Sequence, residues 1–141
     1  MQAMQSRGHE LVVLGSDPDT GLRAVIAIHS TALGPALGGT RMYPYASEAQ
    51  AIEDALRLAE GMSLKSSAAG LDLGGGKAVI IGDPRRDKSD RLLRSYGQLV
   101  ERLRGDYITA EDVGTTVEDM VEVASITRWV SGLPLSVGGS G

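Results

Sequence analysis

The stretch Glu10-Leu11-Val12-Val13-Leu14-Gly15-Ser16-Asp17-Pro18-Asp19-Thr20-Gly21-Leu22-Arg23-Ala24-Val25-Ile26-Ala27-Ile28-His29 decides the fold. Glu10 to Leu14 reads as a short strand. Gly15 to Gly21 is a dense cluster of turn residues, and Leu22 to His29 is a second strand carrying the β-branched Val25, Ile26 and Ile28. Two strands joined by a turn predict an antiparallel hairpin at the start of the chain.

Downstream, strands alternate with helices. Ser47 opens a helix through an S-x-x-Q capping box with Gln50, in which each side chain satisfies a free N–H of the first turn. Ala49, Ile52, Ala55, Leu56 and Ala59 share one face of it, while Glu48, Glu53, Asp54 and Arg57 point away, and the acidic face around Glu53, Asp54 and Glu60 reads as solvated. Gly61 lies near its expected end, with Met62 and Leu64 able to extend the face by a turn. Ala78 to Gly82 reads as a buried strand stopped by Asp83-Pro84. A helix follows from about Ser89 to Leu103, with Leu92, Leu93, Tyr96, Leu99, Val100 and Leu103 inward. Tyr107 to Ala110 is a short strand, Thr115-x-x-Glu118 a second capping box, and Trp129-Val130 the start of a last strand. Between these elements, Ala32 to Tyr45 is too broken by Gly34-Pro35 and Gly38-Gly39 for regular structure yet too apolar for a solvated linker; it reads as a loop that lines something. The pattern predicts an α/β class: a three-layer domain on a mixed sheet, with the antiparallel hairpin first and alternating strands and helices after it.

Composition bounds the rest. The chain has 141 residues, 42% of them hydrophobic, with 19 glycines, no phenylalanine, no cysteine and a formal net charge of −4. That length suits one domain with an aliphatic core. Disulfides and thiolate zinc sites are excluded, and no metal site is expected. The acidic balance argues against a nucleic-acid partner. No run approaches the ~18 apolar residues that span a bilayer, so no membrane partner and a cytoplasmic setting are expected. Residues 1–9 read as a frayed terminus and 136–141, rich in Gly and Ser, as a linker.

Only three of the 14 basic residues are lysines: Lys65, Lys77 and Lys88. Lys65 and Lys77 sit in Leu64-Lys65-Ser66-Ser67-Ala68-Ala69-Gly70-Leu71-Asp72-Leu73-Gly74-Gly75-Gly76-Lys77-Ala78-Val79, almost free of other charge. Three glycines before a buried strand let a ligand or another backbone approach closely. Two readings are open for the pair. Poorly hydrated and short of counter-charges, both amines would favour their neutral form and serve as proton acceptors. Alternatively, Lys65 snorkels from a helix end and Lys77 holds its ammonium in water at a strand start.

Neither nucleotide motif fits. Leu71 and Ala78 break the phosphate-loop spacing around Gly76-Lys77, and no strand leads into a dinucleotide G-x-G-x-x-G. Glu111 and Asp112 precede a helix N-terminus, where carboxylates favour the dipole without further purpose. His29 reads as a satisfied structural histidine, and His9 carries no signal. Arg41 and Tyr43 fit either an anion site or an ordinary surface contact.

Four ordered runs give the chain a resemblance. Leu33-Gly34-Pro35-Ala36-Leu37-Gly38-Gly39-Thr40-Arg41-Met42, Gly61-Met62-Ser63-Leu64-Lys65, Gly70-Leu71-Asp72-Leu73-Gly74-Gly75-Gly76-Lys77 and Thr109-Ala110-Glu111-Asp112-Val113-Gly114-Thr115 resemble the N-terminal, substrate-binding and dimerisation domain of the Glu/Leu/Phe/Val amino-acid dehydrogenases, nearest their leucine and valine branch. The resemblance spans residues 10–135 as that domain. It implies oxidative deamination of a branched-chain L-amino acid to a 2-oxo acid and ammonia, with NAD as the expected cofactor of the full-length family member. It also implies that Lys77 is the general base and that Asp112 relays protons. Lys65 holds the substrate α-carboxylate, and Gly38, Gly39, Leu37, Met62 and Ala110 surround the substrate. Glutamate-specific relatives carry lysine where this chain has Leu37, so an apolar substrate side chain is implied.

On the same resemblance, residues 136–141 are a stub leading to an absent nucleotide-binding domain. The chain alone is then expected to bind no cofactor, to lack dehydrogenase activity and to form a dimer or larger homo-oligomer. The contrasting expectation is a non-enzymatic association scaffold that keeps only the fold and the dimer contacts.

Overall fold

The computed structural model describes residues 1–137. The predicted hairpin is its first sheet element: β1 (Leu11–Asp17) pairs antiparallel with β2 (Leu22–Ser30), from Leu11↔Ile28 to Asp17↔Leu22. The turn closes locally, with the amides of Thr20 and Gly21 donating to the Asp17 carbonyl and that of Asp19 to the Asp17 carboxylate.

β2 runs antiparallel to β4 (Gly74–Ile81), which is parallel to β3 (Ala36–Tyr43), itself parallel to β5 (Tyr107–Glu111). The order β1-β2-β4-β3-β5 makes a mixed five-stranded sheet, as the alternating pattern predicts. Helix α2 (Glu48–Ala68) covers one face. The other is covered by α3 (Asp90–Glu101) and α4 (Val117–Ala124). The three layers follow from strict alternation in the central strands. Ala24, Ile26, Ile28, Ala78 and Ile80 join Leu92, Leu93, Tyr96, Val100 and Met120 in one core, while Val25, Ala27, Val79 and Ile81 join Ala51, Ala55, Leu56 and Ala59 in the other.

Several boundaries differ from the sequence reading. The segment expected as a loop contains β3, a central strand. Glycines and a proline depress strand propensity, but two neighbouring strands supply backbone partners on both sides and outweigh it. β4 begins at Gly74 rather than Ala78, because the triple glycine is strand: a Cβ on Gly75 would lie 2.1 Å from the Ser63 amide nitrogen and 2.6 Å from the Ala59 carbonyl oxygen. The close backbone approach that Gly75 permits is therefore that of α2, whereas Gly74 makes room for the Ser30 carbonyl and Gly76 for the Tyr107 ring. This helix runs through Gly61 to Ala68, with the Ser47 hydroxyl accepting from the Gln50 amide. The Gln50 side chain accepts from Ala46 rather than Ser47, so the box is only half as predicted.

The second capping box is shifted by one residue. Thr116 caps α4 reciprocally with Asp119, not Thr115 with Glu118. Thr115 instead donates its hydroxyl to the Thr40 carbonyl at 2.8 Å and accepts from the Asp112 amide, a tertiary use that removes it from the cap. Trp129-Val130 forms no strand, only an isolated bridge between Thr109 and Val130.

Residues 1–9, expected to fray, contain helix α1 (Gln2–Arg7). Six residues cannot sustain a helix alone; tertiary contacts hold this one. Arg7 pairs with Glu53 at 2.7 Å, Met4 packs on the α2 core, and buried His9 places Nε2 2.8 Å from the Leu56 carbonyl. Of the expected linker, Ser136 and Val137 belong to a short 3-10 turn, and 138–141 lies outside the described residues. No helix among the described residues is long and apolar enough to cross a membrane.

Candidate functional site

β5 stops at Glu111, paired opposite Thr40 in the middle of β3, and the chain leaves the sheet there. Asp112 therefore folds back over Gly39, so tightly that a Cβ at 39 would lie 2.7 Å from the Asp112 Cβ and 2.8 Å from the Glu111 carbonyl oxygen. Lys77 lies on β4 in phase with Val79 and Ile81, the residues packed against α2. Its side chain is 8% exposed, and its Nζ reaches the Asp112 Oδ2 at 2.6 Å. Lys65 comes from the last turn of α2 and is exposed.

All eight residues singled out from the sequence line one cleft of about 340 Å³: Leu37, Gly38 and Gly39 of β3, Met62 and Lys65 of α2, Lys77 of β4, Ala110 of β5, and Asp112. Glu111, Val117, Ser131 and Gly132 complete its wall. The chemical picture changes in two respects. Lys77 does have a counter-charge, so the charge-free setting expected for it is absent. Lys65 stands at a wet rim and is not poorly hydrated. The two amines share a cleft, in different surroundings.

Burial works against ionising the Asp112 carboxyl, but the close ammonium of Lys77 outweighs it, assisted by the Val113 amide and the Arg41 charge, and holds the carboxyl below its ordinary range. The Arg41 Nε lies 3.5 Å from the same Asp112 Oδ2. Among the described residues, neither Arg41 Nε nor Asp112 Oδ2 has an aligned hydrogen-bond partner, although both are buried atoms. Charge attraction, which tolerates poor angles better than a directed hydrogen bond, holds this carboxylate.

Arg41 and Asp54 are where residue-by-residue reading misled. Arg41 is neither an anion site nor a casual surface contact, and Asp54 is not on a solvated helix face. The Asp54 carboxylate receives Arg41 Nη1 at 3.3 Å, Arg57 Nη2 at 2.7 Å and the Tyr45 hydroxyl. No spacing rule could join residues thirteen apart on a strand and a helix; only the packing of α2 on the sheet does. His29 is structural as read, with Nδ1 on the Ser63 hydroxyl and Nε2 on the Arg7 carbonyl.

Beneath the glycine floor, on the opposite face of the sheet, the Tyr107 hydroxyl donates to the Gly38 carbonyl at 2.7 Å. Tyr107, Tyr96, Thr40 and Thr109 are all buried, and their hydroxyls bond one another. Sequence reading assigned Tyr96 to the core and gave Tyr107 and both threonines no role, because a hydroxyl network is made by side chains from three separate elements.

The family model described as Glu/Leu/Phe/Val dehydrogenase, dimerisation domain, matches residues 9–128. A valine dehydrogenase of Streptomyces coelicolor is 63% identical over 134 residues, covering 95% of this chain and 37% of the relative. A leucine dehydrogenase of Thermoactinomyces intermedius is 56% identical over 138 residues, covering 98% and 38%. The crystal structure of an L-tryptophan dehydrogenase from Nostoc punctiforme superposes with a TM-score of 0.89 at 44% identity, covering 92% of this chain and 38% of that one. The chain thus spans little more than a third of the length of the relatives it matches.

Proposed function

The chain belongs to the Glu/Leu/Phe/Val dehydrogenase family, in its dimerisation-domain part, and from that premise we propose that its cleft binds the polar head of an apolar L-amino acid, or the matching 2-oxo acid, for nicotinamide-dependent oxidative deamination. The observation that carries this reading is the convergence of Lys65 of α2, Lys77 of β4 and Asp112, just past β5, on one cleft floored by Gly38 and Gly39. Lys65, free at the rim, attracts the α-carboxylate. The substrate's ammonium then meets Asp112 and competes with Lys77 for it. That competition loosens the 2.6 Å pair, and Lys77, once its own ammonium proton has passed to bulk water, takes a proton as a neutral amine from the water that adds to the imine carbon. Asp112 exchanges a proton with the departing amine. Leu37, Met62, Ala110 and Val117 offer no partner for a charged side chain, which favours a branched-chain substrate.

A nicotinamide group would supply the hydride acceptor. The three strand-to-helix junctions, 44–47, 82–89 and 112–116, carry no glycine-rich dinucleotide spacing, so these residues do not fit the cofactor and others would have to hold it. We therefore expect no dehydrogenase turnover from the chain alone; robust NAD-dependent turnover would refute that expectation. Association is read from β1, whose outer edge has no strand partner among the described residues and leaves backbone donors and acceptors available to a second copy.

Calorimetric titration with 4-methyl-2-oxopentanoate, alongside light scattering, tests the reading. Saturable binding weakened about tenfold or more by Lys65→Ala supports it, as expected for loss of a charged contact. An associated protein that binds neither the 2-oxo acid nor leucine overturns the substrate assignment and leaves the scaffold reading.

A further inference from the structure

Asp112 is held from two sides. Lys77 approaches from β4 within the cleft, whereas Arg41 lines a separate depression with Tyr43, Tyr45, Asp54 and Val113 and touches the same carboxylate oxygen from behind. Arg41 is itself fixed. Its Nη1 lies 3.3 Å from Asp54, whose carboxylate is anchored by Tyr45 and Arg57. A guanidinium is a planar fork with fixed spacing between its nitrogens, so a group bound at Nη1 sets where Nε points.

We propose that Arg41 is a positioning residue for Asp112: braced by Asp54 on α2, it orients the carboxylate toward Lys77 and the cleft and keeps it ionised while substrate displaces Lys77. The proposal rests on the substrate-site reading above. The groups facing Asp112 are Lys77 from β4, Arg41 from β3, Lys65 from α2 across the cleft, and Glu111 beside it in the chain. When the Lys77 contact loosens, Arg41 is the cation left touching the carboxylate. Without it, the incoming ammonium would meet an acid held ionised only by the lysine it displaces.

The test is carbon-detected NMR of the Asp112 carboxyl across acid pH, in the 141-residue chain and its variants, with and without 4-methyl-2-oxopentanoate. Arg41→Gln is expected to let Asp112 protonate at about tenfold lower proton concentration, the effect of removing one adjacent opposite charge. Arg41→Lys restores the midpoint in part, because it keeps the charge without the fork. Asp54→Asn leaves the Arg41 charge in place and removes the brace, so rotation of the guanidinium about its Nε–Cζ bond should accelerate. This variant also reports on the proposal if Arg41→Gln does not fold. An Asp112 midpoint indifferent to Arg41→Gln, or guanidinium rotation indifferent to Asp54→Asn, overturns the positioning role while the ligand response stands. If the Lys65, Lys77 and Asp112 signals of the unmutated chain ignore the 2-oxo acid, the substrate-site reading fails instead.

Discussion

On the α3/α4 face of the sheet, Ile26, Leu92, Tyr96 and Met120 fill the space between layers with bulk, whereas on the α2 face Ala51, Ala55 and Ala59 meet Val25 and Val79 with little side chain between the two backbones. The thick face buries the larger apolar surface, the dominant favourable term in folding. The thin face carries the charges of the cleft and its brace: Lys77, Arg41 and Asp54 all lie there, paired across the narrow layer or at its end. On the other side, Arg94 of α3 and Lys88, just before it, pair with Glu122 and Asp119 of α4 and tie the two helices together. A thin layer gains less from burial but sets a helix backbone and its side chains at fixed, short distances from the strand. Stability and positioning are thus divided between the faces of one sheet.

The largest expected effect tests that division directly. Gly75→Ala would put a methyl within 2.1 Å of the Ser63 nitrogen and 2.6 Å of the Ala59 oxygen, backbone atoms that move only if α2 moves. We expect a cost of about 3 kcal/mol or more in urea denaturation, with 2-oxo acid binding lost as well, because Met62 and Lys65 ride on the same helix. Leu92→Ala should cost about 3 kcal/mol by opening a cavity and leave affinity unchanged in the folded fraction. If Leu92→Ala abolishes binding and Gly75→Ala does not, the division between the faces is wrong.

A smaller effect sharpens the comparison where the faces communicate. Tyr107→Phe removes the one hydroxyl that crosses from the thick face to the Gly38 carbonyl under the cleft. The loss in stability should be about 1–2 kcal/mol, that of a buried hydrogen bond whose acceptor is left behind. Since that carbonyl belongs to the cleft floor, affinity for the 2-oxo acid should fall too, unlike in Leu92→Ala. Paired denaturation and calorimetry separate the two losses, and unchanged affinity would confine Tyr107 to the core.

How much of this was legible in the sequence follows the same division. The thick face announces itself by period: Leu92, Leu93, Tyr96, Leu99 and Val100 give a helix face from spacing alone, and Leu22 to His29 gives its strand. On the thin face, Gly38-Gly39 and Gly74-Gly75-Gly76 look like broken structure. Their strands form because neighbouring strands and α2 need room that any side chain would occupy. The lining of the cleft was legible as motifs, since the eight candidate residues taken from them share it. Its electrostatics were not, since whether Lys77 is bare or paired depends on Asp112, 35 positions away, and on where β5 happens to stop. The cap of α4 failed for a related reason: the pattern favours Thr115 with Glu118, but the Thr40 carbonyl draws the Thr115 hydroxyl away and leaves the box to Thr116 and Asp119.

The smallest expected effect asks how a carboxylate held by cations differs from one held by a hydroxyl. Asp112 is held below its ordinary range against burial, chiefly by Lys77. Asp17, at the far edge of the sheet, is also held low, but by the Ser95 hydroxyl of α3 before any cation. A carboxyl whose folded value lies below its unfolded one, about 3.9 for aspartate, stabilises the fold above that pH, and the contribution disappears as pH falls through the folded value. Both residues should therefore steepen the acid limb of stability below about pH 4. For Asp112 the contribution should stay under about 1 kcal/mol, since solvent screens a partly exposed pair. Asp112→Asn should flatten the limb in acid urea titrations at low salt, and added salt should flatten the unmutated protein in the same way. Asp17→Asn should change the limb less, with little salt dependence, because a hydroxyl donor is not screened as a distant charge is. Equal, salt-insensitive changes in both variants would mean that Lys77 and Arg41 position Asp112 without stabilising its charge, and that the contrast between the faces is one of geometry only.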